Sequence, residues 1–317
     1  MLRRSLLAMS ESARIRGFIA AAPYTKDVVA RFVAGDTAAD ATRVTARLRG
    51  DGLLVTLDHL GEDTTEPRHA AAAADEYVRL IEGLARAGLA GPGGGAVIGA
   101  AEVSVKPSAV GLRLASHGEK TAACHIARIC SAARAAGSTV TVDMEDHAAV
   151  EPTLRIVAEL RAEFGDLGCV IQSYLRRSQR DCAQLAEPGI RVRLCKGAYQ
   201  APDDVAFVTR HQIDRSYARC LRVLMAGRGY PMLATHDARM IKIALAQATL
   251  NRRPASSYEF QMLYGVNPAE QRRLAAFGYT VRVYVPYGND WYGYLMRRLA
   301  ERPANLMFFF RALASRR

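Results

Sequence analysis

Groups able to move protons or grip anions recur in this sequence in short clusters, each following a brief alternating run. They are Asp58-His59-Leu60-Gly61-Glu62, Lys106-Pro107, Asp143-Met144-Glu145-Asp146, Gln172-Ser173-Tyr174, Arg193-Leu194-Cys195-Lys196-Gly197-Ala198-Tyr199, Thr235-His236-Asp237, Gln261-Met262-Leu263-Tyr264-Gly265 and Tyr284-Val285-Pro286-Tyr287-Gly288. Any one of them reads equally well as an ordinary strand-end loop; their recurrence points to one shared site. A further cluster is helical in pattern. Tyr294, Arg297 and Glu301 are spaced i, i+3, i+7, and Arg298 lies four residues after Tyr294 and three before Glu301. One helix face would then hold a phenol, two guanidinium groups and a carboxylate able to steady them. Adjacent arginines can grip a small carboxylate bidentately, whereas the bland reading is a solvated face with a surface ion pair.

Other chemistries fit less well. Lys106 at a strand end could be a Schiff-base lysine of a barrel aldolase, which needs desolvation to lower its pKa; the nearby Asp143 and Glu145 would oppose this by keeping it charged. The seven histidines form neither HxH nor HExxH, and the six cysteines have no CxxC spacing, so no metal site and no disulfide framework is expected. Cys195 has no histidine nearby in sequence and reads as packing. The stretch Gly91-Pro92-Gly93-Gly94-Gly95-Ala96 mimics a dinucleotide loop, but it precedes a strand instead of following one, so it reads as a plain loop.

The elements that must position these groups are eight short runs: Leu53–Leu57, Glu102–Lys106, Val140–Met144, Val170–Ser173, Arg191–Cys195, Met232–His236, Tyr258–Met262 and Val281–Val285. Most alternate with period two, the strand signature. The connections, roughly 20 to 45 residues, are too long for hairpins and suit helical crossovers between parallel strands. In the first connection, Thr65-Glu66-Pro67 can start a helix, Tyr77, Leu80, Ile81 and Leu84 recur at helical spacing, and Gly88 can stop it. Eight strands alternating with helices predict an α/β fold, a (β/α)8 TIM-like barrel. The expected division is an N-terminal helical extension over 1–50, the barrel over 51–305 and a C-terminal tail over 306–317, with breaks in the extension at Gly17, Pro23 and Gly35-Asp36. The alternative is an antiparallel sheet whose polar face meets water.

The alternation has a chemical consequence. Parallel strands covered by helices normally read as continuous apolar runs, and a barrel lumen is normally filled with Val, Ile and Leu. Here, if the valines face the helices, Glu102, Ser104, Lys106, Thr141, Asp143, Gln172, Arg191, Arg193, Glu259, Gln261, Arg282 and Tyr284 face the lumen. Burying unpaired charge costs several kcal/mol, so these groups must pair with one another or with a ligand. Lys106, Arg191, Arg193 and Arg282 outnumber Glu102, Asp143 and Glu259, so an anionic ligand is expected to supply the missing charge. Glu102 and Arg191, early in their strands, read as a self-satisfied pair near the floor.

Composition sets the outer bounds. The chain has 317 residues, 43 Lys+Arg against 31 Asp+Glu, and a formal charge of +12, which suits an anionic ligand, a nucleic acid or an acidic membrane surface. The basic residues are interspersed with acids and no aromatic-basic array stands out, so nucleic acid is not an expected partner. No stretch approaches the ~20 apolar residues of a membrane span, and the basic start Met1–Ala8 has too short an apolar run for a leader. A cytoplasmic protein is expected, with any membrane contact peripheral.

Five strings resemble those of the proline dehydrogenase family in order and spacing: Val142-Asp143-Met144-Glu145, Arg193-Leu194-Cys195-Lys196-Gly197-Ala198-Tyr199, Ala234-Thr235-His236-Asp237, Glu259-Phe260-Gln261-Met262-Leu263-Tyr264-Gly265 and Tyr294-Leu295-Met296-Arg297-Arg298-Leu299-Ala300-Glu301. The resemblance runs from about Phe32 to Asn305. It implies a distorted (β/α)8 barrel holding FAD noncovalently, oxidising L-proline to 1-pyrroline-5-carboxylate and passing electrons to a membrane quinone at the inner face of the cell membrane. With no room for a fused aldehyde dehydrogenase, the next step of proline breakdown would need a separate 1-pyrroline-5-carboxylate dehydrogenase.

By this resemblance Lys106, Arg297 and Arg298 clamp the proline carboxylate, Glu301 orients the arginines, and Tyr294 lies over the proline ring. Asp143 and Arg193 are implied as catalytic, with Arg193 also near the flavin. Met144, Gln172, Lys196, Gly197, Ala198, Thr235 and His236 are implied as FAD contacts, and Leu263, Tyr284 and Glu259 as pocket or support positions. Gln200 and Asp237 depart from the family pattern and bear on the fine FAD geometry. The rival reading is another flavin barrel, similar to a folate reductase.

Overall fold

The computed structural model describes residues 25–91 and 99–301. Gly17, Pro23, most of the Gly91–Ala96 stretch and the tail 306–317 lie outside the described residues, as does the side chain of Glu301. The chain runs α1 (Thr25–Phe32), α2 (Ala38–Gly50), β1 (Leu54–His59), α3 (Pro67–Arg86), β2 (Ala101–Val105), α4 (Gly118–Ala135), β3 (Val140–Val142), α5 (Val150–Leu160), β4 (Gly168–Gln172), α6 (Ser178–Ala186), β5 (Arg191–Cys195), α7 (Arg210–Ala226), β6 (Tyr230–Ala234), α8 (Ala238–Leu250), β7 (Glu259–Leu263), α9 (Pro268–Ala276), β8 (Val281–Tyr287) and α10 (Trp291–Glu301).

The eight strands are parallel and close in sequence order, with β8 pairing β1 through Thr56↔Tyr284. The antiparallel alternative is thereby excluded. Strand bounds move by one to two residues from the sequence reading: β1 runs on through Asp58, and β6 starts and ends two residues earlier than the Met232–His236 run. Val55, Val103, Val105, Val140, Val142, Val192, Leu194, Val281, Val283 and Val285 face outward and join the helices in one buried core.

Local chemistry starts and ends the helices. Pro67 opens α3 with its fixed φ, and Ala70, Ala74, Tyr77, Leu80, Ile81 and Leu84 form its buried stripe. The turn into α2 needs Gly35, at φ +133°, because a Cβ there would lie 2.6 Å from Cβ of Asp40, the residue that completes a capping box with Thr37.

Two helices depart from the plain barrel plan and make it distorted. α2 packs against β1 and β8 on the outer wall, where its Ala41 and Leu48 join the main core. α10, which follows β8, instead clusters through Tyr292, Tyr294, Leu295 and Met296 with Phe32 and Val33 at the end of α1 and with Leu60 and Val266 of strand-end loops. α10 therefore sits over the C-terminal mouth of the barrel, which brings its arginines to the strand ends. Among the described residues no helix is long and apolar enough to cross a membrane.

Candidate active site

A cavity of about 920 Å³ opens at the strand ends under α10, within the size range of small-molecule and cofactor sites. Lys106, Asp143, Met144, Gln172, Arg193, Lys196, Gly197, Ala198, Thr235, His236, Leu263, Tyr284, Tyr294, Arg297 and Arg298 all line it. Glu259 does not: it is fully buried beneath. Asp58 and Tyr199 of the strand-end clusters also line the cavity, as do Arg210 and Asp214, which sequence reasoning did not single out. Cys195 lines it as well, in addition to the packing role expected of it, which it fills beside Tyr199 and Phe207.

At the centre stand Asp143, Arg193 and Tyr284. Arg193 Nη1 donates to Asp143 Oδ1 at 2.7 Å, and the Tyr284 hydroxyl donates to Asp143 Oδ2 at 2.9 Å. Arg193 lies 5.3 Å from the Tyr284 ring centroid, in cation–π range. Burial, followed by the Asp143 and Asp58 carboxylates, pushes the Tyr284 phenol well up, so it serves as a neutral donor at physiological pH.

Lys106 is gripped by Asp58, with Nζ 2.5 and 2.6 Å from the two carboxylate oxygens. Burial alone would lower its pKa, but Asp58, Asp143 and Glu62 hold it above the usual lysine value. A desolvated, neutral Schiff-base lysine is not what this environment makes. Glu145, expected to act on Lys106, bonds elsewhere: Ser108 N–H donates to its Oε2 at 2.9 Å and the Ser108 hydroxyl donates to its Oε1.

Asp58 also corrects the charge count of the lumen. With it, Asp58, Glu102, Asp143 and Glu259 match Lys106, Arg191, Arg193 and Arg282, four against four, all of them buried. The lumen needs no ligand to balance it. Arg282 pairs with Glu259 at 2.8 Å and Arg191 with Glu102 at 2.5 Å, so the charges of the floor are paired within the protein. Burial works against the Glu102 carboxylate, but Arg282, Arg191 and Arg193 bring it down to about 2.

At the mouth, Arg297 Nη1 lies 2.7 Å and Nη2 3.4 Å from the Glu62 carboxylate, and the guanidinium lies 5.4 Å from the Tyr199 ring centroid. The Tyr199 hydroxyl donates to Glu62 at 3.1 Å. Burial opposes ionisation of Glu62, yet Arg297 and Lys106 hold its carboxyl below the usual range. Arg298 lies 5.2 Å from the Tyr294 ring centroid.

The far end of the cavity is built by β4 to β6. Gln172 Nε2 donates to the carbonyls of Met144 and Glu145 at 2.8 and 2.7 Å, and its buried Oε1 has no partner among the described residues. Gly197 passes beside it at φ +93°, where a Cβ would fall 2.2 Å from the Tyr174 ring and 2.8 Å from Gln172 Oε1. Lys196 Nζ is held by Asp214 at 2.5 Å and Asp237 at 3.1 Å, and Arg239 bridges the same two carboxylates at 2.7 and 2.8 Å. His236 Nε2 accepts the Leu263 N–H at 3.0 Å, and Thr235 Oγ1 accepts the Asp237 N–H at 3.0 Å. Asp237 in turn caps α8.

Comparison with known proteins agrees with this geometry. The proline dehydrogenase family model matches residues 41–311. The chain is 38% identical over 313 residues to proline dehydrogenase 1 of Bacillus subtilis subsp. natto, covering 99% of each. It is 36% identical over 310 residues to proline dehydrogenase of Deinococcus radiodurans, covering 97% of this chain and 96% of that protein. Among solved structures, proline utilization A from Bdellovibrio bacteriovorus superposes with a TM-score of 0.80 at 26% identity over 87% of this chain. That protein is far larger, and this chain covers 33% of its length. A family-model match over most of the length, relatives of near-equal size and a shared barrel lead to one conclusion: this chain belongs to the proline dehydrogenase family, and it is an enzyme of proline catabolism.

Proposed function

We propose that the protein oxidises L-proline to 1-pyrroline-5-carboxylate with FAD in the barrel-end cavity, and that electrons leave to a membrane quinone. The observation that carries this reading is that Arg297 and Arg298 line the same cavity as Lys106, Asp143, Arg193 and Tyr284. The cations suit a small carboxylate, and the Asp143 group suits an adjacent polar reacting centre.

The cavity residues fit FAD on two counts. Gln172 Oε1 is a buried acceptor without a partner among the described residues, suited to an N–H of a bound ring. Arg193, Lys196, Arg210 and Arg298 line the cavity, and such donors suit a diphosphate-bearing group. Met144, Gln172, Arg193, Lys196, Gly197, Ala198, Thr235 and His236 would hold it, with Asp237 affecting the fit through Lys196. When bound, FAD supplies the acceptor for the hydride.

The protein's part is positioning. Arg297, Arg298 and Lys106 bind the carboxylate, Tyr294 and Leu263 bound the ring, and α10 covers the mouth against water. With the carboxylate fixed, the ring carbon beside the nitrogen is held in one orientation. Hydride can leave that carbon only after the nitrogen has lost its extra proton and can form C=N. Asp143 and Arg193 stand where that charge changes, and Tyr284 fixes Asp143.

Further proposals follow from family membership: residues 51–305 as the catalytic unit flanked by 1–50 and 306–317, Glu301 as support for the arginine pair, a separate dehydrogenase consuming the product, and a cytoplasmic enzyme docked peripherally on the membrane. The rival folate-reductase-like flavin barrel would take electrons from a reduced nicotinamide. Adding proline anaerobically to the purified yellow protein separates the two. Bleaching by proline supports the proposal, and bleaching by reduced nicotinamide but not proline would sink it.

A further inference from the structure

Arg193 is held from two sides. Its Nη1 reaches Asp143 at the cavity, while Nη2 turns away from it toward Glu102 Oε1 at 3.4 Å and Thr56 Oγ1 at 3.5 Å. Ser104 Oγ and Gln261 Oε1, at 2.8 and 2.5 Å, complete the ring of acceptors. Glu102 is fully buried in β2, four residues before Lys106 at the strand's end. Its Oε2 accepts from Arg191 at 2.5 Å and Thr139 at 3.0 Å, while Oε1 lies 3.4 Å from both Arg193 Nη2 and the Thr141 hydroxyl.

We infer that Glu102 is a positioning residue for the reaction, anchoring Arg193 from the barrel floor so that its opposite edge is presented to Asp143 and the cavity. The inference rests on the reading of Arg193 as a group that meets the reacting molecules. A guanidinium is a rigid plane with donors at both ends, so fixing Nη2 fixes where Nη1 points. Asp143 alone would not do this. An anion entering the cavity competes with Asp143 for Arg193; Gln261 and Ser104 hold the guanidinium as neutral acceptors, and Glu102 adds a counter-charge from the floor side. Glu102 is itself immobile, because Arg191 of β5, Thr139 and Thr141 next to and within β3, and Arg282 of β8 at 3.8 Å all converge on it. The bland alternative is that Glu102 only balances charge in the floor.

Two variants of the full-length, FAD-loaded protein separate these roles. Glu102→Gln leaves the floor one positive charge in excess and should lower Tm. Glu102→Gln combined with Arg191→Met restores the balance and should regain most of it. If Glu102 positions Arg193, both variants keep KM for proline within about twofold while kcat stays at least about tenfold down, and the visible circular dichroism of the bound flavin is altered in both. Recovery of kcat and of the flavin signal together with Tm in the double variant would overturn the inference. Should neither glutamine variant fold, Glu102→Asp decides: it keeps the charge and withdraws the oxygens by one methylene, so lowered kcat at wild-type Tm supports positioning and wild-type kcat refutes it. If instead the wild-type flavin is not reduced by proline at all, the failure lies in the functional reading and not in Glu102.

Discussion

Glu62 and Arg297 close on each other across the barrel mouth, 235 positions apart in sequence and 2.7 Å apart in space. The arginine proposed to receive the substrate carboxylate is therefore already bound to one. A substrate carboxylate must take the place of Glu62, and part of its binding free energy goes into that exchange. Replacing Glu62 with Gln should lower KM for proline about two- to fivefold, the worth of ~0.5–1 kcal/mol for a partly exposed pair. Arg297→Met should raise KM by orders of magnitude with FAD still bound. Steady-state kinetics checks both, and an unchanged KM in Arg297→Met would remove the clamp from the account.

Lys196 gives a second prediction. Its ammonium is shared by Asp214 and Asp237, so Lys196→Met removes a cation from the cavity wall and also leaves two carboxylates facing it with only Arg239 between them. FAD retention should fall. Asp237→Asn, which removes one carboxylate and leaves Lys196 and Arg239 facing Asp214 alone, should hold FAD more tightly than wild type. Titrating stripped protein with FAD and following flavin fluorescence measures both without any turnover, and weaker binding by Asp237→Asn would contradict the electrostatic reading.

Much of this was legible in local pattern, because a β-strand alternates its faces. Glu102, Ser104, Arg191 and Arg193 announce an ionic lumen by their spacing alone. The charge count failed at Asp58, since the first run was closed at Leu57 although Thr56 and Asp58 continue its inward face; that one residue turned a balanced lumen into a basic one. Glu62 stands in the cluster after the first run, but nothing local names its partner. It sits in a loop, and its partner is chosen by where α10 comes to rest. The amphipathic pattern of α10 reveals a helix but not its seat over the mouth, which is set by contacts with α1 and two strand-end loops. In the same way, nothing in the sequence of α2 tells that it packs on the wall between β8 and β1.

Gly197 tests whether the wall of the cavity is as tight as it is drawn. Any Cβ there meets the Tyr174 ring at 2.2 Å, on a backbone at φ +93° that side chains rarely adopt. Gly197→Ala must move Tyr174 or the 195–199 segment, costing about 1–3 kcal/mol for overpacking in addition to backbone strain. Lowered Tm together with reduced FAD content is expected. A variant with wild-type Tm and a full flavin spectrum would mean that the segment has slack that the geometry does not reveal.

Glu145 makes the stability of the enzyme depend on pH. Burial raises its carboxyl from an ordinary 4.5 to about 7, against the lowering effect of the two Ser108 donors and Lys106. Between those values the folded chain keeps a proton that the unfolded chain has released, so stability declines as pH rises through the window, by about 3 kcal/mol in all, and levels off above pH ~7. Glu145→Gln has no such proton to lose. The stability of wild type relative to Glu145→Gln should therefore be greater at pH 5 than at pH 8 by roughly 2.5 kcal/mol, whatever the absolute cost of the substitution. Urea unfolding of both proteins at the two pH values measures this difference directly, and all titrating groups common to both cancel. A difference that stays constant, or grows with pH, would show that Glu145 is ionised throughout and that the Ser108 donors outweigh its burial.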